Sequence, residues 1–136
     1  MQLIIAGARG SGLKALQVVH DLQDAGMESY EIIGFIDDNN ALKNTIFYDY
    51  PILGTTDELE KIQNRIGVLN EISLVCPVGN CKNRKMLIDK LTSHFTHFPN
   101  LIHPTAQISK HAELGEGNLF SQNVVIQPGA KIGNFN

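Results

Sequence analysis

LIHPTAQISKHAELGEGNLFSQNVVIQPGAKIGNFN, residues 101–136, places a large apolar residue at every sixth position: Ile102, Ile108, Leu114, Phe120, Ile126 and Ile132. Two residues before the later five stand Ala106, Ala112, Asn118, Val124 and Ala130, which are mostly small or turn-forming. Gly115 and Gly133 directly follow a repeat residue. An amphipathic helix repeats at about 3.6 residues and a strand at about 2. A period of six fits neither, but it fits a coil of very short strands with a tight turn after each. That is the hexapeptide signature of a parallel β-helix. The spacing predicts the first coils of such a helix over 101–136, and short coils bury their core only by stacking on neighbours.

Upstream of the repeats the pattern changes. Leu3, Ile4, Ile5 and Ala6 form a short apolar run that ends in Gly7-Ala8-Arg9-Gly10-Ser11-Gly12. Leu13, Leu16, Val19 and Leu22 then fall on one helical face, and Gly26 supplies a stop. A second apolar segment, residues 32–36, ends in Asp37-Asp38. The first 38 residues therefore read as strand, glycine loop, helix, strand. Residues 39–54 read as a loop or minor strand, with residues 50–54 an edge segment. Thr55 and Glu58 have capping-box spacing ahead of a helix whose buried stripe is Leu59, Ile62 and Ile66. Residues 72–76 read as a third strand. Asn80 then caps a third helix with Leu87, Ile88 and Leu91 inward. The alternation predicts an α/β unit over 1–100, a small Rossmann-like parallel sheet of three or four strands with flanking helices. The β-helix follows over 101–136.

Composition narrows the function classes. The formal charge is −3, and there is no block of lysine or arginine, so nothing points to a nucleic-acid or membrane partner. Cys76 and Cys81 are too few for a disulfide framework and lack a second pair for zinc, so no metal is expected. A reducing cytoplasm is the expected compartment.

Ligands of open parallel sheets collect at the carboxyl ends of the strands. Three loops converge there: Gly7 to Gly12, Asp37-Asp38, and Gly79-Asn80. Glycines let backbone N–H groups at a helix start face a phosphate, with Arg9 adding charge and Ser11 a hydroxyl. The loop reads GxxGxG, not the dinucleotide GxGxxG, and the small sheet also speaks against a dinucleotide-dependent oxidoreductase. Asp37 or Asp38 would accept from ribose hydroxyls, or would equally serve as a turn cap. His20, His94, His97, His103 and His111 each lack a sequence partner that would select a general base.

Taken together, the glycine loop, Gly34-Phe35-Ile36-Asp37-Asp38, the junction Asn100-Leu101-Ile102-His103-Pro104 and the hexapeptides resemble the NeuD/PglD-like sugar O- and N-acetyltransferases. The resemblance spans the chain. It implies a nucleotide-sugar-binding first domain, a left-handed β-helix, acetyl-CoA as co-substrate and a cytoplasmic homotrimer. It implies sugar-nucleotide-binding roles for Gly7, Gly10, Gly12, Asp37 and Asp38, with Gly79 and Asn80 as the floor of that site, and a histidine general base acting on an amine or hydroxyl; Arg9 and Ser11 join the candidate site from the loop reading alone. Two departures stand out. The family loop reads Gly-His-Gly where this chain has Gly10-Ser11-Gly12. The family's catalytic histidine lies in coils later than Asn136, so the resemblance implies a fragment without its catalytic coil. A non-enzymatic nucleotide- or sugar-binding and oligomerisation module remains the alternative.

Overall fold

The computed structural model describes residues 1–77 and 81–136, with residues 81–83 described by backbone only. Its first part is a five-stranded sheet with strands β1 (Gln2–Ala6), β2 (Glu31–Ile36), β3 (Ile46–Phe47), β4 (Tyr50–Gly54) and β5 (Ser73–Val75). Their order across the sheet is β3-β4-β2-β1-β5. The β1, β2, β4 and β5 pairings are parallel, as the strand–helix alternation requires. The edge pair β3–β4 is antiparallel, so the sheet is mixed and one strand larger than the sequence predicts. Residues 50–54 are not an edge: β4 pairs with β2 on one side and β3 on the other. The hairpin was illegible because its two-residue turn, Tyr48-Asp49, has no glycine or asparagine. Both residues nevertheless adopt positive φ (48° and 71°), the backbone that a tight primed turn needs.

Alternation along β1 explains why helices cover both faces. Leu3 and Ile5 pack with α1 (Ser11–Asp24), while Ile4 and Ala6 pack with α2 (Leu59–Ile66) and α3 (Cys81–Thr92). All four strand residues are fully buried or nearly so. Leu3, Ile4 and Ile5 each contribute about 1.5–3 kcal/mol relative to exposure. On α1 the buried face is Ala15, Leu16, Val18, Val19 and Leu22. Leu13, predicted on that face, is instead 37% exposed. It sits in the first turn of α1. The capping box between Thr55 and Glu58 forms as predicted, with both reciprocal contacts present.

The second part is the start of a left-handed parallel β-helix. Six two-residue strands follow, β6 (Leu101–Ile102), β7 (Gln107–Ile108), β8 (Glu113–Leu114), β9 (Leu119–Phe120), β10 (Val125–Ile126) and β11 (Lys131–Ile132). They pair in parallel as β6–β9, β7–β10 and β8–β11. Each residue meets the one 18 positions later, as in Leu101↔Leu119, so three hexapeptides make one coil. The repeat residues point inward. The residue before each points outward and is polar on one face (Glu113, Lys131), but it is leucine at Leu101 and Leu119. Those two leucines meet the cluster around α1, and Leu101 is completely buried. Phe98 and Phe135 add an edge-to-face contact at 5.1 Å on the other side of the joint.

An asparagine ladder registers the coils. Asn100, Asn118 and Asn136 are spaced by 18 residues. Asn118 donates its amide N–H to Asn100 Oδ1 at 2.8 Å, and Asn136 does the same to Asn118 Oδ1 at 2.8 Å. Their Nδ2 groups run the other way, from Asn100 to Gly115 O at 2.7 Å and from Asn118 to Gly133 O at 2.8 Å. Asn118 is wholly buried, so the three bonds that it makes in this ladder satisfy groups that water cannot reach.

Candidate functional site

The glycine loop joins the carboxyl end of β1 to α1. Gly7 (φ 101°) extends the sheet ladder by donating its N–H to Ile36 O at 2.7 Å, then turns the chain. Gly12, in the first turn of α1, lies so close that an added Cβ would stand 1.8 Å from Gly7 O. Only glycine permits this approach of helix to loop. Gly10 precedes the helix with φ 49° and makes no side-chain cap, and the first turn carries no acid. The positive end of α1 is therefore not neutralised by its own side chains. Arg9 is exposed at the crest of the loop, and Ser11 is half-buried.

The acids after β2 are both engaged by backbone. Asp37 Oδ2 accepts the Ala8 N–H at 2.9 Å, and Oδ1 accepts the Asn39 N–H at 2.8 Å. Asp37 thus ties the glycine loop to the next loop. Asp38 Oδ1 accepts the Thr56 N–H at 2.7 Å and its hydroxyl at 2.8 Å, capping the turn before α2. The structure brings Gly7, Arg9, Gly10, Ser11, Gly12, Asp37 and Asp38 to one end of the sheet. Gly79 and Asn80 lie outside the described residues.

A cleft of about 770 Å³ opens from Gly10 towards the β-helix. One wall is α1, through Leu13, Lys14 and Gln17; the roof is Tyr48; the far wall is the Ser121-Gln122 turn of the second coil. Tyr48 is 60% exposed and Leu13 37%, so the cleft offers apolar surface beside Lys14 and the polar turn. This mixture suits a ring with one apolar face and polar edges. Sequence reasoning missed the cleft, since its walls come from segments a hundred residues apart. The exposure of Leu13 is explained by it.

The histidines have other duties. His103 is 8% exposed, with Nε2 2.7 Å from Asp21 Oδ2 and Nδ1 2.9 Å from Thr105 Oγ1. The hydrogen bond from His103 holds the Asp21 carboxyl below its ordinary value, against a smaller opposing effect of burial. His20 Nε2 lies 3.2 Å from the Tyr50 hydroxyl. Among the described residues, no histidine lines the cleft. Among the described residues, no three His, Cys, Asp or Glu side chains are grouped to hold a metal ion, and no helix is long and apolar enough to cross a membrane.

Residues 2–91 match the family model described as the PglD N-terminal domain. The chain belongs to that family. The likeness to solved structures extends beyond the matched residues, into the coils. The acetyltransferase domain of PglB from Neisseria gonorrhoeae, solved in complex with acetyl coenzyme A, superposes with a TM-score of 0.76 at 26% identity. The match covers 98% of this chain and 58% of that one. A mutant of perosamine N-acetyltransferase from Caulobacter crescentus, in complex with CoA and GDP-perosamine, gives a TM-score of 0.77 at 23% identity over 99% of this chain and 58% of that one. PerB from Caulobacter crescentus, also in complex with CoA and GDP-perosamine, gives 0.75 at 23% identity, covering 100% and 60%. At that identity the two Caulobacter likenesses show the fold alone. The chain spans about three fifths of the length of these structures. No curated protein sequence matches it.

Proposed function

We propose that this chain binds a nucleotide sugar at the carboxyl ends of β1 and β2. As part of a longer polypeptide it would deliver the sugar for acetylation by acetyl-CoA, at an amine or hydroxyl. The observation that carries the reading is the continuity of the site. An uncapped, acid-free helix start at Gly10 opens into a cleft whose far wall is the β-helix. A diphosphate fits the first, where backbone N–H groups and the dipole favour an anion by about 0.3–1 kcal/mol, with Arg9 and Lys14 near it. The sugar fits the second, with its apolar face against Tyr48. The nucleoside then lies towards Asp37 and Asp38. Since both carboxylates already accept backbone N–H groups, their role in this reading is to hold the loops in place, with their remaining lone pairs facing ribose. Ser11 leaves the loop without the family's imidazole, so the acceptor is held without it.

In this reading residues 1–100 form the nucleotide-sugar half and 101–136 open the β-helix. The intact protein is a cytoplasmic homotrimer. The chemical step would be direct transfer: a base removes the acceptor proton as the amine or hydroxyl attacks the thioester carbonyl, a backbone N–H stabilises the oxyanion, and collapse breaks the C–S bond so that CoA leaves as its thiolate and takes up the proton. His103 is occupied by Asp21 and Thr105, and among the described residues no histidine lines the cleft, so none of these histidines is placed as the base. The likeness to the PglB acetyltransferase domain in complex with acetyl coenzyme A supports acetyl-CoA as the co-substrate.

Calorimetric titration with UDP-sugars, a GDP-sugar, CMP-sialic acid, NAD and acetyl-CoA tests this. The expected result is binding of at least one nucleotide sugar and none of NAD. Low-micromolar NAD binding with no nucleotide sugar bound would overturn it.

A further inference from the structure

The two walls of the cleft belong to segments remote in sequence, yet a continuous line of hydrogen bonds joins them. Gln17, on the α1 wall, donates from Nε2 to Asp21 Oδ1 at 2.8 Å. Asp21 Oδ2 meets His103 Nε2 at 2.7 Å. His103 Nδ1 lies 3.0 Å from the Thr105 amide nitrogen and 2.9 Å from Thr105 Oγ1. Thr105 Oγ1 accepts the Asn123 N–H at 3.0 Å. Asn123 is the neighbour of Gln122, on the opposite wall.

The direction of the bonds at the His103 ring is fixed by one fact. The Thr105 amide can only donate, so His103 Nδ1 must accept and carries no proton. The proton of the imidazole is then on Nε2, donated to the Asp21 carboxylate. The Thr105 hydroxyl, whose oxygen accepts from Asn123, turns its own hydrogen to Nδ1 and shares that nitrogen's single lone pair with the Thr105 amide. No other tautomer satisfies all four groups.

We propose that Asp21, His103 and Thr105 form a positioning relay that holds α1 and the second coil at a set spacing, and so sets the width of the cleft. None of the three touches the ligand. That the cleft receives the sugar rests on the reading above; the relay itself does not, and its test needs no ligand. The alternative is a set of independent local bonds, in which a change on α1 is not felt at the coil.

The full chain, labelled with ¹⁵N, decides between them by nuclear magnetic resonance. At pH 7 the His103 ring should show Nε2 protonated and Nδ1 bare. Asp21→Ala, on α1, should raise the exchange rate of the Asn123 amide about tenfold and shift the Ser121 and Gln122 amides, because the relay loses its anchor. Asp21→Asn keeps an acceptor for Nε2–H and should stay within about twofold of the parent. Thr105→Val, at an exposed position that leaves the fold intact, should free the same amide, and Thr105→Ser should not. A purely structural role would not separate Asn from Ala at position 21 in this readout. An Asn123 amide unaffected by Asp21→Ala, or a ring protonated on Nδ1, overturns the proposal. With a bound nucleotide sugar, Asp21→Ala should also weaken affinity while Asp21→Asn spares it. If no nucleotide sugar binds, the exchange data still decide the relay.

Discussion

Gly12→Ala sets two physical effects against each other at the site. Gly12 is a helical residue, and by propensity alone alanine would stabilise a helix interior by about 0.5–1 kcal/mol. The structure predicts the opposite sign. The new Cβ would lie 1.8 Å from Gly7 O and 2.8 Å from Gly7 C, whereas real contacts of this kind essentially never fall under 3.0 Å. The obstacle is backbone and cannot swing aside, so α1 must retreat from the loop by more than an ångström. Its buried face, from Ala15 to Leu22, would leave the sheet with it. Overpacking of a close contact costs about 1–3 kcal/mol, and here the upper end applies because the loop's own hydrogen bonds are strained as well. At about 3–5 °C per kcal/mol for a chain of this size, the melting temperature should fall by about 10 °C. Gly10→Ala is the comparison: nothing lies within 4 Å of its Cβ, and only its backbone, φ 49° and ψ −99°, is strained, for about 1–3 kcal/mol without displacing α1. Differential scanning calorimetry on both variants reads the difference. A melting temperature for Gly12→Ala equal to or above that of the parent would refute the close-approach argument.

Three further outcomes follow from particular contacts. Asn118→Ala removes the acceptor of the Asn136 N–H and the donor to Gly133 O, so it should cost about 2–4 kcal/mol, and amide exchange should rise first in the second coil. The Asp21 carboxyl is held down chiefly by its hydrogen bond from His103, so its folded pKa lies below its unfolded one. Its contribution is therefore complete above the unfolded value, near 3.8, and is lost as pH falls through the lower folded value. Urea unfolding at successive pH values should show a stability loss below about pH 4 that is shallower in Asp21→Asn. Tyr48→Asn should leave stability unchanged or raise it by up to about 1 kcal/mol, since asparagine tolerates φ 48° better than tyrosine. It should nevertheless weaken nucleotide-sugar binding, which calorimetry would show.

Much of the fold could be read from residue spacing. The period of six from Ile102 to Ile132 is a direct image of the coil, because one hexapeptide is one face. The run Leu3 to Ala6 and the helix after it could be read because burial on both sheet faces leaves no room for polar residues. The β3–β4 hairpin could not, since Tyr48-Asp49 adopts a turn backbone that its residue types do not advertise. Asn118 could be seen only as a turn former, although its 18-residue spacing from Asn100 and Asn136 was there to be counted. The role of His103 was out of reach for a different reason. Its partner Asp21 is 82 positions away, and only the packing of Leu101 and Leu119 on α1 brings them together. Asp37 and Asp38 were rightly placed at the strand end, but their engagement by the Ala8 and Thr56 amides needed coordinates.

The central claim is that the glycine loop and the cleft beyond it form one nucleotide-sugar site. Mapping amide shifts of the ¹⁵N-labelled chain during titration with a UDP-sugar or GDP-sugar tests it most directly. The account predicts a continuous set of shifted amides through Gly10, Ser11, Gly12 and Lys14 to Tyr48 and Ser121. Shifts confined to the separate cleft between Lys43 and Arg65, or shifts at the loop with NAD and with no nucleotide sugar, would contradict it.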